Sequence, residues 1–324
     1  MKRLAILFCA VVTLLVLSGC SAKEAIASDK QEYIVSSIGF DNSKGDIKMI
    51  IEAIVVNTDD LKEEKESRII TGEGENPDEA YSEIISKITQ PLSLGHNAVT
   101  VIGESVTSEQ LDLIFKFLRE TPQINIATML IFTESAEELL SVKAVSSVAI
   151  GYDIMSMIEV SEEKQGTVFK NRLYEVVALN SKPMKTFWIP YIGVEKEEIF
   201  INGLAVFREN KMLRFLNNEQ AVALSLITDS LTRGEIVVSG GKIKTQYCKA
   251  TYDFDSEKIE VNVHLKANGD KKKIKTKAQK LLQKEDIFGI GNIIYQEKPK
   301  LWERIKNDYT KYYQKAEKTV NIYE

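Results

Sequence analysis

Cysteine and histidine are scarce in this chain, which holds three Cys and two His in 324 residues. Two of the cysteines, Cys9 and Cys20, lie within the first twenty residues, so Cys248 is the only thiol in the remainder. A disulfide within the body of the protein is therefore excluded, and its core must be held by packing. The histidines, His96 and His264, have no neighbours at metal-ligand spacing, so we expect no metal and no cofactor.

Catalytic signatures are also missing. The chain has no Gly-x-Ser-x-Gly elbow, no Walker-type loop and no dinucleotide fingerprint, and the lone Gly289-Ile290-Gly291 is a weak signal. Cys248 lies in an expected strand, where a small core residue is a better interpretation than a nucleophile. The formal net charge of −5 argues against nucleic-acid binding. These absences disfavour an enzyme.

The sequence does have the features of a secretory signal at its N-terminus. Lys2 and Arg3 precede an apolar run over 4–17 that is too short to span a bilayer, and Leu17-Ser18-Gly19-Cys20 follows at once. This pattern resembles the lipobox of bacterial lipoproteins. We therefore predict a signal peptide over 1–19, cleavage before Cys20 and a diacylglyceryl group on its thiol. The alternative is an ordinary signal peptide that happens to end near a cysteine.

From Cys20 onward, changes in composition and residue pattern divide the chain into segments. Residues 20–32 are polar and are interpreted as the lipidated cysteine and a tether. A change near 183–197 separates an N-terminal α+β region, 33–197, from a C-terminal α+β domain, 198–324; a further division into 33–133 and 134–197 is left open. The predicted fold class is α+β, with two to three domains in which helices pack on antiparallel or mixed sheets.

Alternating apolar residues and turn signals predict the elements. Asn42-Ser43-Lys44-Gly45 predicts a hairpin turn, and Asn76 and Thr107 are expected to cap helices. Strands are predicted at 33–40, 47–56, 68–72, 98–103, 126–133, 199–207, 212–216, 236–238, 243–253 and 258–266. Later helices are predicted at 148–159, 168–179, 272–284 and 300–315.

Several collinear stretches resemble the C-subunit lipoproteins of spore germinant receptors, the Ger(x)C family. The lipobox is followed by the strand at 34–40, by a Gly-rich strand end before Asn76-Pro77, and by His96 ahead of Val101-Ile102-Gly103-Glu104. The second half has Gly203-Leu204-Ala205-Val206-Phe207, Asp286-Ile287-Phe288-Gly289-Ile290-Gly291 and Pro299-Lys300-Leu301-Trp302, which are similar to family signatures.

The resemblance implies a three-domain α+β body without catalytic activity. It also implies two integral membrane partners, the A and B subunits, at the spore inner membrane, and a role in germination triggered by small nutrients. A solute-binding lipoprotein of a transporter is the alternative hypothesis. The run Lys271-Lys272-Lys273 could contact phosphates or acidic headgroups, although a solvated helix start is the plainer interpretation.

Two departures from the family pattern concern the end of the chain. The segment between Lys266 and Asp286 is shorter than the family suggests, and a last strand is predicted to begin at Thr319, just before Glu324. The sequence therefore predicts a reduced third domain.

Overall fold

The computed structural model describes residues 32–55, 67–165, 171–231, 234–238, 241–269 and 271–323. The predicted signal peptide, Cys20 and most of the tether lie outside the described residues.

The first three strands form an antiparallel edge of a large sheet. They are β1 (Tyr33–Ser43), β2 (Asp46–Val55) and β3 (Ser67–Gly74). The predicted hairpin turn between β1 and β2 is confirmed: Lys44 and Gly45 have positive φ, and the Gly45 N–H donates to Asn42 Oδ1 across 3.0 Å.

Two capped helices follow, as their sequences predict. Helix α1 (Pro77–Lys87) begins where Asn76 Oδ1 accepts from the Glu79 N–H, and α2 (Ser108–Glu120) begins at a capping box between Thr107 and Gln110. Both caps are local in sequence, which is why the pattern alone identifies them.

The centre of the large sheet is parallel. β1 pairs with β5 (Val99–Gly103), β5 with β6 (Met129–Thr133), and β6 with β7 (Thr186–Glu195). An antiparallel meander of β8 (Glu198–Arg208) and β9 (Lys211–Leu216) completes the order β3-β2-β1-β5-β6-β7-β8-β9, and the two-residue β4 (Leu92–Ser93) also pairs with β1. The predicted boundary at 197–198 falls in the β7–β8 turn, inside this sheet, and remains a prediction.

Helices cover both faces of the large sheet. α1, α2 and α5 (Leu173–Asn180) share one hydrophobic cluster with it, whereas α3 (Ala136–Leu140) and α4 (Ile150–Gln165) share another on the opposite face. The helix predicted over 168–179 begins at Leu173; residues 166–170 of that prediction lie outside the described residues.

A second sheet has the order β10-β11-β12-β13, with β10 (Gly234–Val238), β11 (Gly241–Phe254), β12 (Lys258–Asn268) and β13 (Glu317–Tyr323). Its buried face shares one core with α6 (Asn218–Ile227), α7 (Lys271–Lys284), α8 (Ile290–Glu297), α9 (Pro299–Ile305) and α10 (Tyr309–Lys315). The predicted α+β class is confirmed.

One prediction near the end of the chain is wrong. The single helix over 300–315 is divided between α9 and α10 by a 3₁₀ turn at Lys306–Asp308, where Asn307 and Asp308 are poor helix formers. The predicted last strand is present and begins at Glu317, two residues before Thr319. It pairs with β12 in parallel over seven residues, from Lys258–Glu317 to His264–Tyr323, so it is a full member of the sheet.

Candidate functional site

The residues that the sequence singled out for chemistry lie far apart. His96 is exposed in a 3₁₀ turn beside the large sheet, whereas His264 is exposed on β12 and its ring stacks on Tyr323 with centroids 5.4 Å apart. Within the described ranges, His, Cys, Asp and Glu nowhere gather in a group of three that could hold a metal ion.

Cys248 is a free thiol on β11 that packs against the core of the second sheet. Burial, with a smaller contribution from the Asp229 carboxylate, raises the pKa of this thiol to about 12. The thiolate is the reactive form of cysteine, so Cys248 is held in its unreactive state at neutral pH. Its position agrees with the interpretation as a small core residue.

Glu52 is the most enclosed carboxylate of the large sheet, at 1% exposure in the middle of β2. Its Oε2 accepts from the hydroxyls of Ser36 at 2.7 Å and Ser37 at 2.9 Å. Its two oxygens also accept from the main-chain N–H groups of Ile150 at 2.7 Å and Gly151 at 3.1 Å. Glu52 therefore binds the N-terminus of α4, where a negative charge complements the helix dipole.

Asp41 does the same for α3. Its carboxylate accepts from the main-chain N–H groups of Ala136 and Glu137, each at 3.0 Å, and from the Ser135 hydroxyl at 3.2 Å. Ser135 itself accepts from the Glu138 N–H at 3.2 Å. One face of the large sheet thus holds both of its helices through carboxylates on adjacent strands.

Asp286 is the corresponding residue of the second core and is 2% exposed. It accepts from the main-chain N–H groups of Ile290 at 2.7 Å and Gly291 at 3.0 Å, and from the Tyr309 hydroxyl at 2.7 Å. The main-chain carbonyl of Asp286 accepts from the Arg208 guanidinium at the end of β8. Asp286 therefore ties α8 and α10 to the meander of the large sheet.

The sequence alone does not identify these three carboxylates as a group. Each accepts several hydrogen bonds from its own fold, which uses the lone pairs that a catalytic base would need. Two of them have a local signal: Glu52 is a charged residue inside the apolar run Met49-Ile50-Ile51-Glu52-Ala53, and Asp286 opens one of the family signatures.

A cleft of about 330 Å³ opens between the α3–α4 loop and the β7–β8 turn. Burial alone would raise the pKa of Asp153 at its wall, but hydrogen bonds from Ser146, Ser147 and the Val145 N–H outweigh it and hold the pKa below its usual value. The cleft mixes apolar and charged groups, which suits binding. Its lining residues are Val142, Lys143, Val145, Ser146, Ile150, Asp153, Met157, Glu197, Glu198 and Ile199.

The run Lys271-Lys272-Lys273 begins α7, whose outer face is rich in lysine. As for membrane spans, every helix in the described part of the chain falls short of the length and hydropathy needed to cross a bilayer.

Comparison with solved structures shows a shared fold. The crystal structure of the GerBC protein superposes with a TM-score of 0.54 over 88% of this chain and 95% of that chain, at 14% sequence identity. Among curated proteins, the spore germination protein GerQC of Bacillus cereus is 23% identical over 172 residues. That match spans 53% of this chain and about half of the relative, 48% of its length.

Family models match both halves of the chain. The model described as the spore germination protein N-terminal domain matches residues 30–194, and the model described as spore germination B3/GerAC-like, C-terminal, matches residues 202–285 and 271–323. The two models meet in the β7–β8 hairpin and together cover nearly all the described residues. The chain belongs to the Ger(x)C family of spore germination proteins.

Proposed function

We propose that this chain is the lipid-anchored, non-catalytic C subunit of a spore germinant receptor. It assembles with integral membrane A and B subunits and helps to trigger germination in response to small nutrients. The observation that carries the proposal is the collinear match of both family models along one chain. The lipobox at Leu17-Ser18-Gly19-Cys20 supports an anchor at Cys20, on the outer face of the spore inner membrane.

A non-catalytic role is supported by how the chain uses its reactive groups. The buried carboxylates of Glu52, Asp41 and Asp286 accept hydrogen bonds from helix N-termini. The Cys248 thiol has its pKa raised to about 12 by burial. These groups therefore serve the fold, and the exposed surfaces are left for contact with partners.

Spores that lack the gene test the receptor role, and spores that carry Cys20→Ala test the anchor. We expect the deletion to abolish or slow the response to one class of nutrient among amino acids, sugars and nucleosides. We expect Cys20→Ala to move the protein out of the membrane fraction and to weaken the same response. Cys248→Ala is the matched control, because it removes the other thiol of the body without touching the lipobox.

Two outcomes would contradict the proposal. Normal germination with every nutrient, in a strain without other receptor genes of this family, would exclude the receptor role. Full germination with unlipidated protein would exclude the anchor as a functional element while leaving the receptor role in place.

The second candidate is a solute-binding lipoprotein of a transporter, and the cleft beside Asp153 is the observation that favours it. Such proteins bind between two similar lobes, whereas the two sheets here differ: one has a parallel centre, and the other is antiparallel apart from β13. Calorimetry of the full chain with amino acids, sugars and nucleosides separates the two candidates. Tight direct binding, lost in Met157→Arg within the cleft, would favour the transporter role.

A further inference from the structure

Helix α7 concentrates positive charge. Seven of its 14 residues are lysine and none is Asp or Glu, although the whole chain carries a net charge of −5. Its exposed lysines are Lys272, Lys273, Lys275, Lys280 and Lys284.

This composition lowers the stability of the helix. Cations in the first turn oppose the helix dipole, and lysines four residues apart, such as Lys273 with Lys277 and Lys280 with Lys284, repel each other. A helix selected only for stability would alternate lysine with glutamate. The exposed side of α7 therefore carries positive charge with no acidic residue of the helix beside it.

The packing of α7 determines which lysines face outward. Ile274, Ala278, Leu281 and Leu282 are buried in the core of the second sheet. On one flank, the Gln279 and Gln283 side chains donate to the Lys318 carbonyl of β13. On the other flank, Lys277 forms an ion pair with Glu219 of α6.

Between these flanks runs a stripe of Lys273, Lys280 and Lys284, which we call the α7 lysine stripe. Their spacing of seven and four residues keeps them on one side of the helix over about 17 Å. All three are exposed, and their ammonium groups project away from the apolar side of the helix.

We propose that the α7 lysine stripe is the surface through which the folded body lies against anionic phospholipid headgroups. The inference deepens the proposed function, because it assigns the face that a tethered subunit turns toward its membrane. Charge complementarity carries it: lysines near an anionic leaflet each add roughly fivefold to binding, so three give about a hundredfold.

The chemistry of the stripe favours a lipid surface over an acidic protein. The residues that contribute most to binding at protein–protein interfaces are typically Trp, Tyr and Arg in packed pockets. The outward side of α7 carries none of these residues. Lysine is a compact point charge on a flexible stem, which suits a fluid array of phosphates better than a fixed bidentate partner.

Lysine acetylation with a water-soluble reagent tests the proposal on the full chain reconstituted in vesicles. Vesicles of phosphatidylcholine alone are compared with vesicles of equal parts phosphatidylcholine and phosphatidylglycerol. We expect acetylation of Lys273, Lys280 and Lys284 to slow severalfold on the anionic vesicles. The protection should vanish in about 1 M salt, where the Debye length falls to about 3 Å.

The matched control lies on the other side of the same sheet. Lys244, Lys249 and Lys266 are exposed on the face of β11 and β12 that points away from α7, and their acetylation should be the same on both vesicles. In Lys273→Gln/Lys280→Gln, the protection of the remaining stripe residue Lys284 should be lost. In Lys244→Gln/Lys249→Gln/Lys266→Gln it should persist.

Equal acetylation of the stripe on both vesicles would overturn the proposal, and so would protection of the sheet lysines instead. Protection seen only in native spore membranes that contain the integral subunits would assign the stripe to an acidic protein, and would likewise overturn it. Failure of the receptor role appears separately, in germination assays. Failure of the anchor appears as release from phosphatidylcholine vesicles.

Discussion

The Glu52 carboxylate on β2 accepts a hydrogen bond from the main-chain N–H of Gly151 on α4 across 3.1 Å, although 99 residues separate them in the chain. The lack of a side chain at Gly151 allows this close approach, because an added Cβ would lie 2.0 Å from Ser37 Oγ. The large sheet and α4 therefore pack closely where the buried Glu52 carboxylate contacts the first residues of the helix, since Gly151 has no side chain there.

Glu52→Ala should strongly destabilise the N-terminal region. The substitution leaves the N–H groups of Ile150 and Gly151 buried without an acceptor, at a cost of about 3 kcal/mol in the free energy of unfolding. Urea unfolding followed by circular dichroism measures the change. Glu120→Gln on the exposed end of α2 is the control and should stay within about 0.5 kcal/mol of wild type. Equal midpoints for both variants would show that the Glu52 contacts are dispensable.

Gly151→Ala should destabilise the same junction by overpacking. The new methyl group displaces the Ser37 hydroxyl, which then loses its bond to Glu52, and we expect about 2 kcal/mol. Gly95→Ala is the matched control, since its Cβ would have nothing closer than the Gln123 carbonyl at 3.7 Å. A thermal midpoint for Gly151→Ala at or above that of Gly95→Ala would contradict the packing argument.

The local parts of this fold could be predicted from sequence and the long-range contacts could not. The Asn76 and Thr107 caps depend on a residue three positions away, so a short pattern contains both partners. The main-chain partners of Glu52 on α4 lie about a hundred residues downstream, and no pattern in a single sequence pairs them. Gly291, which is a weak signal as a nucleotide motif, donates to Asp286 within the same family signature and helps to join two parts of the body.

The second core should lose stability at alkaline pH. Burial, followed by the nearby Asp286 carboxylate, holds the pKa of Tyr309 and of Tyr313 well above the usual value. An unfolded tyrosine ionises near pH 10, so above about pH 10 the folded state binds more protons than the unfolded state. The stabilisation is complete below about pH 10 and is lost as the pH rises toward the folded pKa.

Tyr309→Phe tests the origin of this alkaline loss. The variant loses its hydrogen bond to Asp286, at a cost of about 2 kcal/mol at neutral pH. Above about pH 10, its free energy of unfolding should fall with pH less steeply than that of wild type, because one fewer proton is released on unfolding. Urea midpoints measured across the alkaline range give the slope. Tyr247→Phe, which removes an exposed phenol, should keep the wild-type slope; an unchanged slope in Tyr309→Phe would exclude its contribution.

Cys248 should react with a thiol reagent only when the second core opens. Because burial raises its pKa to about 12, little thiolate is present at neutral pH in the folded state. Labelling with a chromogenic disulfide should be slow without denaturant and should rise together with the loss of circular dichroism. Fast labelling of the folded chain would contradict the buried position on β11.

Gln279 should protect the β13 edge of the second sheet. Its side-chain amide takes the place of a neighbouring strand, because Nε2 donates to the Lys318 carbonyl at 2.5 Å and Oε1 accepts from the Val320 N–H at 2.7 Å. Gln279→Leu removes both bonds, which should cost about 2 kcal/mol, and the Val320 amide should exchange with deuterium far faster. Gln283→Leu loses only a bond to the same carbonyl and should cost about 1 kcal/mol with Val320 still protected. Because the two glutamines differ in whether they accept from Val320, equal exchange at Val320 in both variants would show that the α7 amides do not protect this edge.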